Sequence, residues 1–214
     1  MKKYRVISLL VLVLFISALF LSAEEMKAIQ LKKPEFGKKP VLDILAKRQS
    51  MREYSVKPLP VEVLSELLWA ACGINRDDGK RTAPTAMNMQ EIDVYAVMAE
   101  GAYFYDAKEN VLKPVVMKDL REATGRQAFV KDAPLNIVMV ADFAKMTRGS
   151  DEDKRVYAGM DASFVSENIY FYCAAEGLAT VVRAMVDRDA LAKALNLRPD
   201  QKVILAQTVG YPKN

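Results

Sequence analysis

Strand-like and helical segments follow one another along this chain without strict alternation. Apolar runs typical of strands lie at Ile92 to Ala99, Leu135 to Ala141 and Val203 to Val209. A longer apolar segment, Ala158 to Ala175, is typical of a helix that ends at Gly177. Because this mixture lacks the regular order of βαβ units, we predict an α+β fold in which a mixed, mainly antiparallel sheet is flanked by helices.

Shorter elements are predicted between these segments. Tyr103 to Tyr105 and Val111 to Val115 are expected to form a hairpin. Further helices are predicted near 41–47, from Pro60 to Gly73, over Asp119 to Gly125 and over Asp187 to Leu195. With 214 residues, of which 51% are hydrophobic, the chain can bury one good core, and it shows no internal repeat. We therefore predict a single domain over 41–214.

The first 40 residues have a different character. A basic start is followed by the nearly unbroken apolar run Val6 to Leu21 and by Ser22-Ala23. This pattern predicts a signal peptide at 1–23, cleaved after Ala23, and a periplasmic protein. The run is near the length of a membrane span, so an uncleaved inner-membrane anchor is the alternative. Residues 24–40, rich in Lys and Pro, are expected to form an extended arm.

Charge and residue types exclude several classes of function. Lys2, Lys3 and Arg5 supply three of the four net positive charges, so the rest of the chain offers no electrostatic support for nucleic-acid binding. The chain contains no histidine, which excludes Ser-His-Asp and Cys-His catalysis and most transition-metal sites. Cys72 and Cys173 are its only cysteines, and their apolar helical surroundings favour two buried thiols over a bridge.

Two polar segments interrupt the apolar pattern and suggest a ligand site. In Arg48-Gln49-Ser50-Met51-Arg52, two arginines flank a serine and can hold phosphate oxygens together with the edge of a heteroaromatic ring. Pro84 favours an extended predecessor and leaves Thr85 to cap a new helix, whose exposed amides suit an anionic or carbonyl-rich planar ligand. Taken singly, the first segment is more typical of a solvated basic turn and the second of a capped surface helix.

In combination the segments resemble the FMN-dependent nitroreductase family. Arg-x-Ser-x-Arg-x-Tyr from Arg48 is followed by the helix Leu67-Leu68-Trp69-Ala70-Ala71-Cys72-Gly73 and then by Arg81-Thr82-Ala83-Pro84-Thr85-Ala86-Met87-Asn88-Met89-Gln90. Later landmarks of that family are similar to Asn168-Ile169-Tyr170, Glu176-Gly177-Leu178-Ala179-Thr180 and Val209-Gly210-Tyr211-Pro212. The resemblance covers roughly residues 40 to 214 and implies a nitroreductase-like fold and a homodimer.

The resemblance also implies which residues hold FMN. Those expected on its phosphate, ribityl chain and pyrimidine edge are Arg48, Gln49, Ser50 and Arg52. Those expected to reach it from the other subunit are Pro84, Thr85, Ala86 and Asn88. One amide, that of Arg183 or Ala184, is expected to donate to the flavin N5 atom. For Arg52, the alternative to a flavin contact is an ion pair with Glu53 or a neighbouring acid. For residues 180–184, the alternative is an ordinary strand edge.

The C-terminal sequence differs from that of many members of the family, in which a tail with Lys and Arg binds the flavin phosphate. Here Val209-Gly210-Tyr211-Pro212 is followed by Lys213-Asn214, and Lys213 is expected to supply part of the phosphate binding. This difference suggests a compact subgroup that resembles the SagB-type dehydrogenases.

The activity implied by the resemblance is hydride transfer through FMN, with no catalytic side chain and no metal. The expected reduced donor is NAD(P)H, and the expected acceptor is a planar small molecule such as a nitroaromatic or a quinone. The alternatives are an azoline-type dehydrogenase, a dehalogenase, or a non-catalytic exported flavin-binding protein. Contact with a membrane is expected only through an uncleaved N-terminal segment.

Overall fold

The computed structural model describes residues 27–32 and 41–213. The predicted signal peptide lies outside these residues, as does most of the predicted arm. The helices are α1 (Val41–Lys47), α2 (Val61–Cys72), α3 (Asp151–Glu176) and α4 (Arg188–Ala194). The strands are β1 (Ile29–Gln30), β2 (Ile92–Met98), β3 (Gly101–Asp106), β4 (Val111–Val116), β5 (Leu135–Asp142), β6 (Ala179–Arg183) and β7 (Gln201–Gly210).

The strands form one sheet in the order β1-β4-β3-β2-β5-β7-β6. Each pair of neighbours in this order is antiparallel. Together with the helices on its two faces, this sheet confirms the predicted α+β class, and the part of the chain that the structure describes contains no parallel strand pair. The predicted hairpin is also confirmed, because β3 and β4 are joined across Ala107 to Asn110.

Both faces of the sheet are covered, so its central strand β5 is buried along its whole length. Ile137, Met139 and Ala141 belong to the core that includes α2 and α3. Val138 and Val140 belong to a second core that includes α4. Since successive side chains of a strand point to opposite faces, β5 separates two apolar layers.

Helix α3 begins seven residues before its predicted start. Asp153 N donates to Ser150 Oγ and Ser150 N donates to an Asp153 carboxylate oxygen, which forms a capping box. The prediction missed these first turns because they are charged rather than apolar, although acidic residues near a helix N-terminus are stabilised by its dipole. The predicted end is confirmed, since Gly177 takes the left-handed conformation with φ 68°.

Two predicted helices are single 3₁₀ turns in the structure. The segment Asp119 to Gly125 contains only the turn Arg121–Thr124. The helix predicted after Thr85 is wrong, because only Ala86–Asn88 form a turn there. Met87 and Asn88 within it have φ of 52° and 54°, and left-handed residues cannot continue an α-helix.

The described part of the arm is attached to the domain rather than free. Strand β1 pairs with the edge strand β4, and Leu31 after it is buried in the core of α2 and α3. Lys32 N donates to Ser65 Oγ on α2 at 3.0 Å. Within the described residues, none of the helices has the length and apolar character needed to cross a bilayer.

Candidate functional site

The basic segment that follows α1 lies against the edge strand β6 and the C-terminal end of β7. Met51 N donates to Thr180 O at 2.9 Å, and Ser55 N donates to Tyr211 O at 2.9 Å. Tyr54 forms an antiparallel bridge with Pro212. These backbone contacts fix the segment along its length, as expected for a binding loop held by a rigid scaffold.

Tyr170 on α3 organises the polar groups of this segment. Its hydroxyl oxygen accepts a hydrogen bond from Val182 N at 3.1 Å and lies 2.7 Å from Ser50 Oγ. Its ring lies 5.3 Å from the guanidinium carbon of Arg48, within the range of a cation–π contact. The Tyr170 hydroxyl therefore contacts both the edge of β6 and Ser50, and either hydroxyl of the Ser50–Tyr170 pair can donate to the other.

No residue pattern in the sequence assigns a role to Tyr170, although it lies in the landmark Asn168-Ile169-Tyr170. Nothing in the local pattern shows that the ring of this helical tyrosine contacts Arg48, 122 positions earlier in the chain. The only available signal was its presence in that landmark.

Arg48 and Arg52 carry charges that no described carboxylate neutralises. Neither arginine forms an ion pair within residues 27–32 and 41–213, so the alternative pairing of Arg52 with Glu53 is wrong there. Arg52 is exposed and Arg48 is half-buried against Tyr170. The Arg48 guanidinium and the Ser50 hydroxyl, which both contact Tyr170, fit a phosphate-bearing ligand, because guanidinium matches phosphate oxygens in shape and charge.

Arg52 and Lys213, both predicted to contact FMN, line the same cleft. The cleft has a volume of about 770 Å³, and Tyr54, Phe129 and Asp132 also contribute to its wall. This volume is within the range of small-molecule sites. Lys213 is held there because its amide donates to Glu53 O at 3.3 Å.

Gln49 lies on the other side of the basic segment, where it is exposed. It lines a smaller cavity of about 270 Å³ together with Met51, Cys173 and Thr180. Both Cys173 and Cys72 are buried free thiols, which confirms the prediction for the cysteines. Burial raises the pKa of the Cys173 thiol and keeps it protonated.

The two candidates for the N5 donor differ in their orientation. The carbonyl of Thr180 and the amide of Val182 both face the free edge of β6, because their partners are Met51 and Tyr170. Backbone groups alternate sides along a strand, so the amide of Arg183, which is paired with Ala206, faces β7. The same alternation directs the amide of Ala184 to the free edge, which corrects the prediction for Arg183.

The segment Pro84 to Gln90 is held by hydrogen bonds within the chain. Ala86 N donates to Asp161 Oδ2 at 2.8 Å, and Gln90 N donates to Thr85 Oγ1 at 3.0 Å. Asn88 N donates to Thr85 O. These three amides are bonded within the chain, which contradicts the prediction that they are exposed, and the residues that the segment exposes to solvent are Pro84, Met87 and Asn88.

A buried carboxyl pair lies behind this segment. Asp161 is buried on α3, and Glu91 is fully buried at the start of β2. Burial and the neighbouring Asp161 raise the pKa of Glu91 from 4.5 to about 7.

The two predicted halves of the site do not meet within one copy of the chain. Asp161, which holds Ala86, and Tyr170, which organises Arg48 and Ser50, are nine residues apart on α3. Nine residues correspond to about 13 Å along a helix and about two and a half turns, so the two side chains leave α3 on opposite sides. A site that uses both halves needs a second copy of the chain.

Comparisons with known proteins agree with this architecture. A protein named as a nitroreductase from Methanocaldococcus jannaschii is 28% identical over 75% of this chain and 87% of its own length. A crystal structure of a protein named as a nitroreductase from Ralstonia eutropha JMP134 is 39% identical, covers 88% of this chain and 91% of its own, and superimposes with a TM-score of 0.84. A Desulfovibrio desulfuricans protein of the same description, crystallised in complex with FMN, is 22% identical, with coverage of 83% and 89% and a TM-score of 0.61.

The sequence profile of the Nitroreductase family matches residues 45–211, which include every strand from β2 to β7 and both polar segments. The chain therefore belongs to the nitroreductase family.

Proposed function

We propose that this protein is an FMN-dependent oxidoreductase that transfers a hydride from a reduced donor to a planar acceptor. The observation that carries the proposal is the arrangement around Tyr170, where Arg48, which has no ion pair among the described residues, meets the Ser50 hydroxyl and the free edge of β6. The family and the FMN complex of the Desulfovibrio desulfuricans protein support the choice of FMN as the ligand.

The residues present have the chemistry that FMN binding requires. Arg48 and Ser50 would hold the phosphate and ribityl hydroxyls, while Arg52 and Lys213, in the wall of the larger cleft, supply further positive charge. When bound, the flavin supplies two-electron hydride chemistry. The Ala184 amide would donate to its N5 atom, and fixed donors placed where charge develops favour reduction. The residues thus bind the flavin, orient its ring and place positive charge near it, and none of them has to act as an acid or base.

A second copy of the chain completes the proposed site. Three exposed apolar side chains, Val156, Met160 and Phe164, follow a four-residue spacing along α3. Met87, in the segment held by Asp161, is also exposed. Apolar patches of this kind mark contact surfaces. In the proposed homodimer this patch is buried, and Pro84, Thr85, Ala86 and Asn88 of one copy reach the flavin held by the other.

We also propose a hydride donor, an acceptor and a cellular location for the protein. NAD(P)H is proposed as the donor and a nitroaromatic or quinone as the acceptor, and the chain is placed in the compact subgroup that resembles SagB-type dehydrogenases. A periplasmic location follows from the predicted leader at 1–23. Azoline oxidation, dehalogenation and flavin binding without catalysis are the competing outcomes of a substrate screen.

One experiment tests the proposal directly. Purified protein is reconstituted with FMN, desalted, and examined by its absorbance spectrum and by anaerobic bleaching with NADH or NADPH, followed by addition of a nitroaromatic or quinone. Bleaching and recovery of the colour are expected. Arg48→Ala should lose the colour, whereas Arg188→Ala, at an exposed position on α4, should keep it. Protein that takes up no FMN, or full colour in the Arg48 variant, contradicts the site.

A further inference from the structure

The guanidinium group of Arg183 is buried without a carboxylate partner. Only 5% of this residue is exposed, and it forms no ion pair within the described part of the chain. Its Nε donates to Thr208 Oγ1 at 3.1 Å, Nη1 to Thr124 O at 2.7 Å and Nη2 to Asn136 Oδ1 at 2.9 Å. All three acceptors are neutral. Burial lowers the pKa of Arg183 to about 10, so that the group stays charged at neutral pH.

A buried charge without a counter-charge is costly, so its surroundings must hold it closely. The acceptors belong to three separate elements, namely β7, β5 and the turn Arg121–Thr124. Thr208 Oγ1 also lies 2.6 Å from Asn136 Oδ1, which joins two of the acceptors. A Cβ atom at Gly125 would lie 1.9 Å from Nη1, so only glycine leaves room for the guanidinium group at that position.

These contacts hold the backbone on either side of Ala184. Arg126 N donates to Met185 O at 3.2 Å, which attaches the loop after the turn to the residue that follows Ala184. Val186 N donates to Ala184 O at 2.9 Å. With Arg183 fixed on one side and Met185 on the other, the edge-facing amide of Ala184 has little freedom.

The charge of Arg183 also lies close to the larger cleft. Its guanidinium carbon is 6.0 Å from the ring of Phe129, and Phe129 and Tyr54 form part of the cleft wall. The aromatic rings place apolar surface beside the buried charge, and low-dielectric surroundings weaken the screening of its field. A negative charge that develops at this end of the cleft is therefore stabilised.

We propose that Arg183 is a positioning residue that fixes the Ala184 amide and gives the adjoining cleft a positive potential that favours negative charge on the bound ring. The identity of the ring rests on the proposed function, whereas the contacts that hold the Ala184 backbone do not. Arg183 thus acts through its side chain, and not through its backbone amide.

The charge is tested with sulfite on the FMN-loaded protein. Sulfite adds its lone pair to N5, one N–S bond forms, and the ring takes the negative charge, so the dissociation constant of the adduct reports the local potential. Arg183→Met should weaken sulfite binding by about tenfold, and Arg183→Lys, which keeps the charge, by less than about threefold. Arg188→Met is the matched control and should leave it unchanged. Unchanged sulfite affinity in Arg183→Met overturns the electrostatic part.

The positioning role is tested by hydrogen exchange on the full chain. Amides of 184–186 and 124–126 should exchange faster in Arg183→Met and in Gly125→Ala, which displaces the guanidinium without removing its charge, and not in Arg188→Met. Unchanged exchange in both variants overturns the positioning role. A protein that takes up no FMN would refute the proposed function, and exchange would still test the contacts. If Arg183→Met does not fold, Gly125→Ala carries the exchange test, and Arg183→Gln, which also removes the charge, replaces Arg183→Met in the sulfite test.

Discussion

The hydroxyl oxygens of Ser50 and Tyr170 lie 2.7 Å apart, although the two residues are separated by 120 positions in the chain. This contact joins the basic segment to the longest helix. It also links the segment to β6, because the same tyrosine oxygen accepts from Val182 N. The position of the Ser50 hydroxyl therefore depends on a side chain whose role local sequence does not reveal.

Tyr170→Phe is expected to weaken FMN binding by about tenfold, since it removes the partner of Ser50 and leaves the Val182 amide without an acceptor. The ring that contacts Arg48 is kept. Isothermal titration or fluorescence quenching with FMN measures the change. Tyr172→Phe, on the same helix as Tyr170, is the matched control, because it removes the hydrogen bond that Tyr172 donates to Glu66 on α2 and should leave FMN affinity unaltered. Equal loss in both variants would show that Tyr170 has no special role.

Met160→Lys is expected to abolish the dimer and FMN retention together. Met160 is 55% exposed in the single chain, and the proposed interface would bury it, so a charge there would lose its hydration. Light scattering coupled to gel filtration, with absorbance in the flavin band, follows both quantities in one run. Met117→Lys, at an equally exposed methionine after β4, should change neither. A folded monomer that keeps its flavin would contradict the shared site.

Stability is expected to fall between pH 4.5 and pH 7 because of Glu91. Its pKa is raised to about 7 in the fold, so the folded protein holds a proton that the unfolded chain has released across this window. The contribution of Glu91 to the free energy of unfolding is complete below pH 4.5 and is lost as pH rises through 7. Its total is at most about 3 kcal/mol. Urea unfolding of the natural protein and of Glu91→Gln at several pH values measures it. If stability depends on pH in the same way in both proteins, Glu91 is not the cause of the pH dependence.

Gly177→Ala is expected to destabilise the fold by about 1 kcal/mol, because φ of 68° is unfavourable for a residue with a Cβ atom. No atom lies within 4 Å of the added methyl, so the cost comes from the backbone alone. Gly177→Asn should lose less, since Asn adopts this conformation more readily. Gly159→Ala, inside the same helix and also without atoms near the added methyl, should instead raise the stability of the single chain. Thermal unfolding compares the three variants.

Strands and helices with a clear apolar period could be predicted from the sequence. The β3–β4 hairpin and the Gly177 helix end depend on neighbouring residues, and the structure confirms both. The conformation of the segment after Pro84 could not be predicted, because Met87, Asn88 and Gln90 take positive φ without being glycine. Such strain is maintained by distant contacts, here the one between Asp161 and Ala86.

The candidate site was predictable only in part for the same reason. Arg48 and Arg52 were found through the spacing of their segment, and the structure shows them without described acidic partners. The difference between the Arg183 and Ala184 amides depends on which side of β6 is paired with β7, and no local pattern contains that information. The buried environment of Arg183 depends on Asn136 and Thr208 in two other strands.

The bridge between Tyr54 and Pro212 has a consequence for how the protein is made. The basic segment is synthesised well before the backbone groups that hold it, which belong to Thr180 and Tyr211. Contacts between such distant positions form slowly and cannot form before both partners have left the ribosome. A nascent chain therefore has no finished cleft until residues 180–212 have left the ribosome, and loading with a ligand has to follow that point.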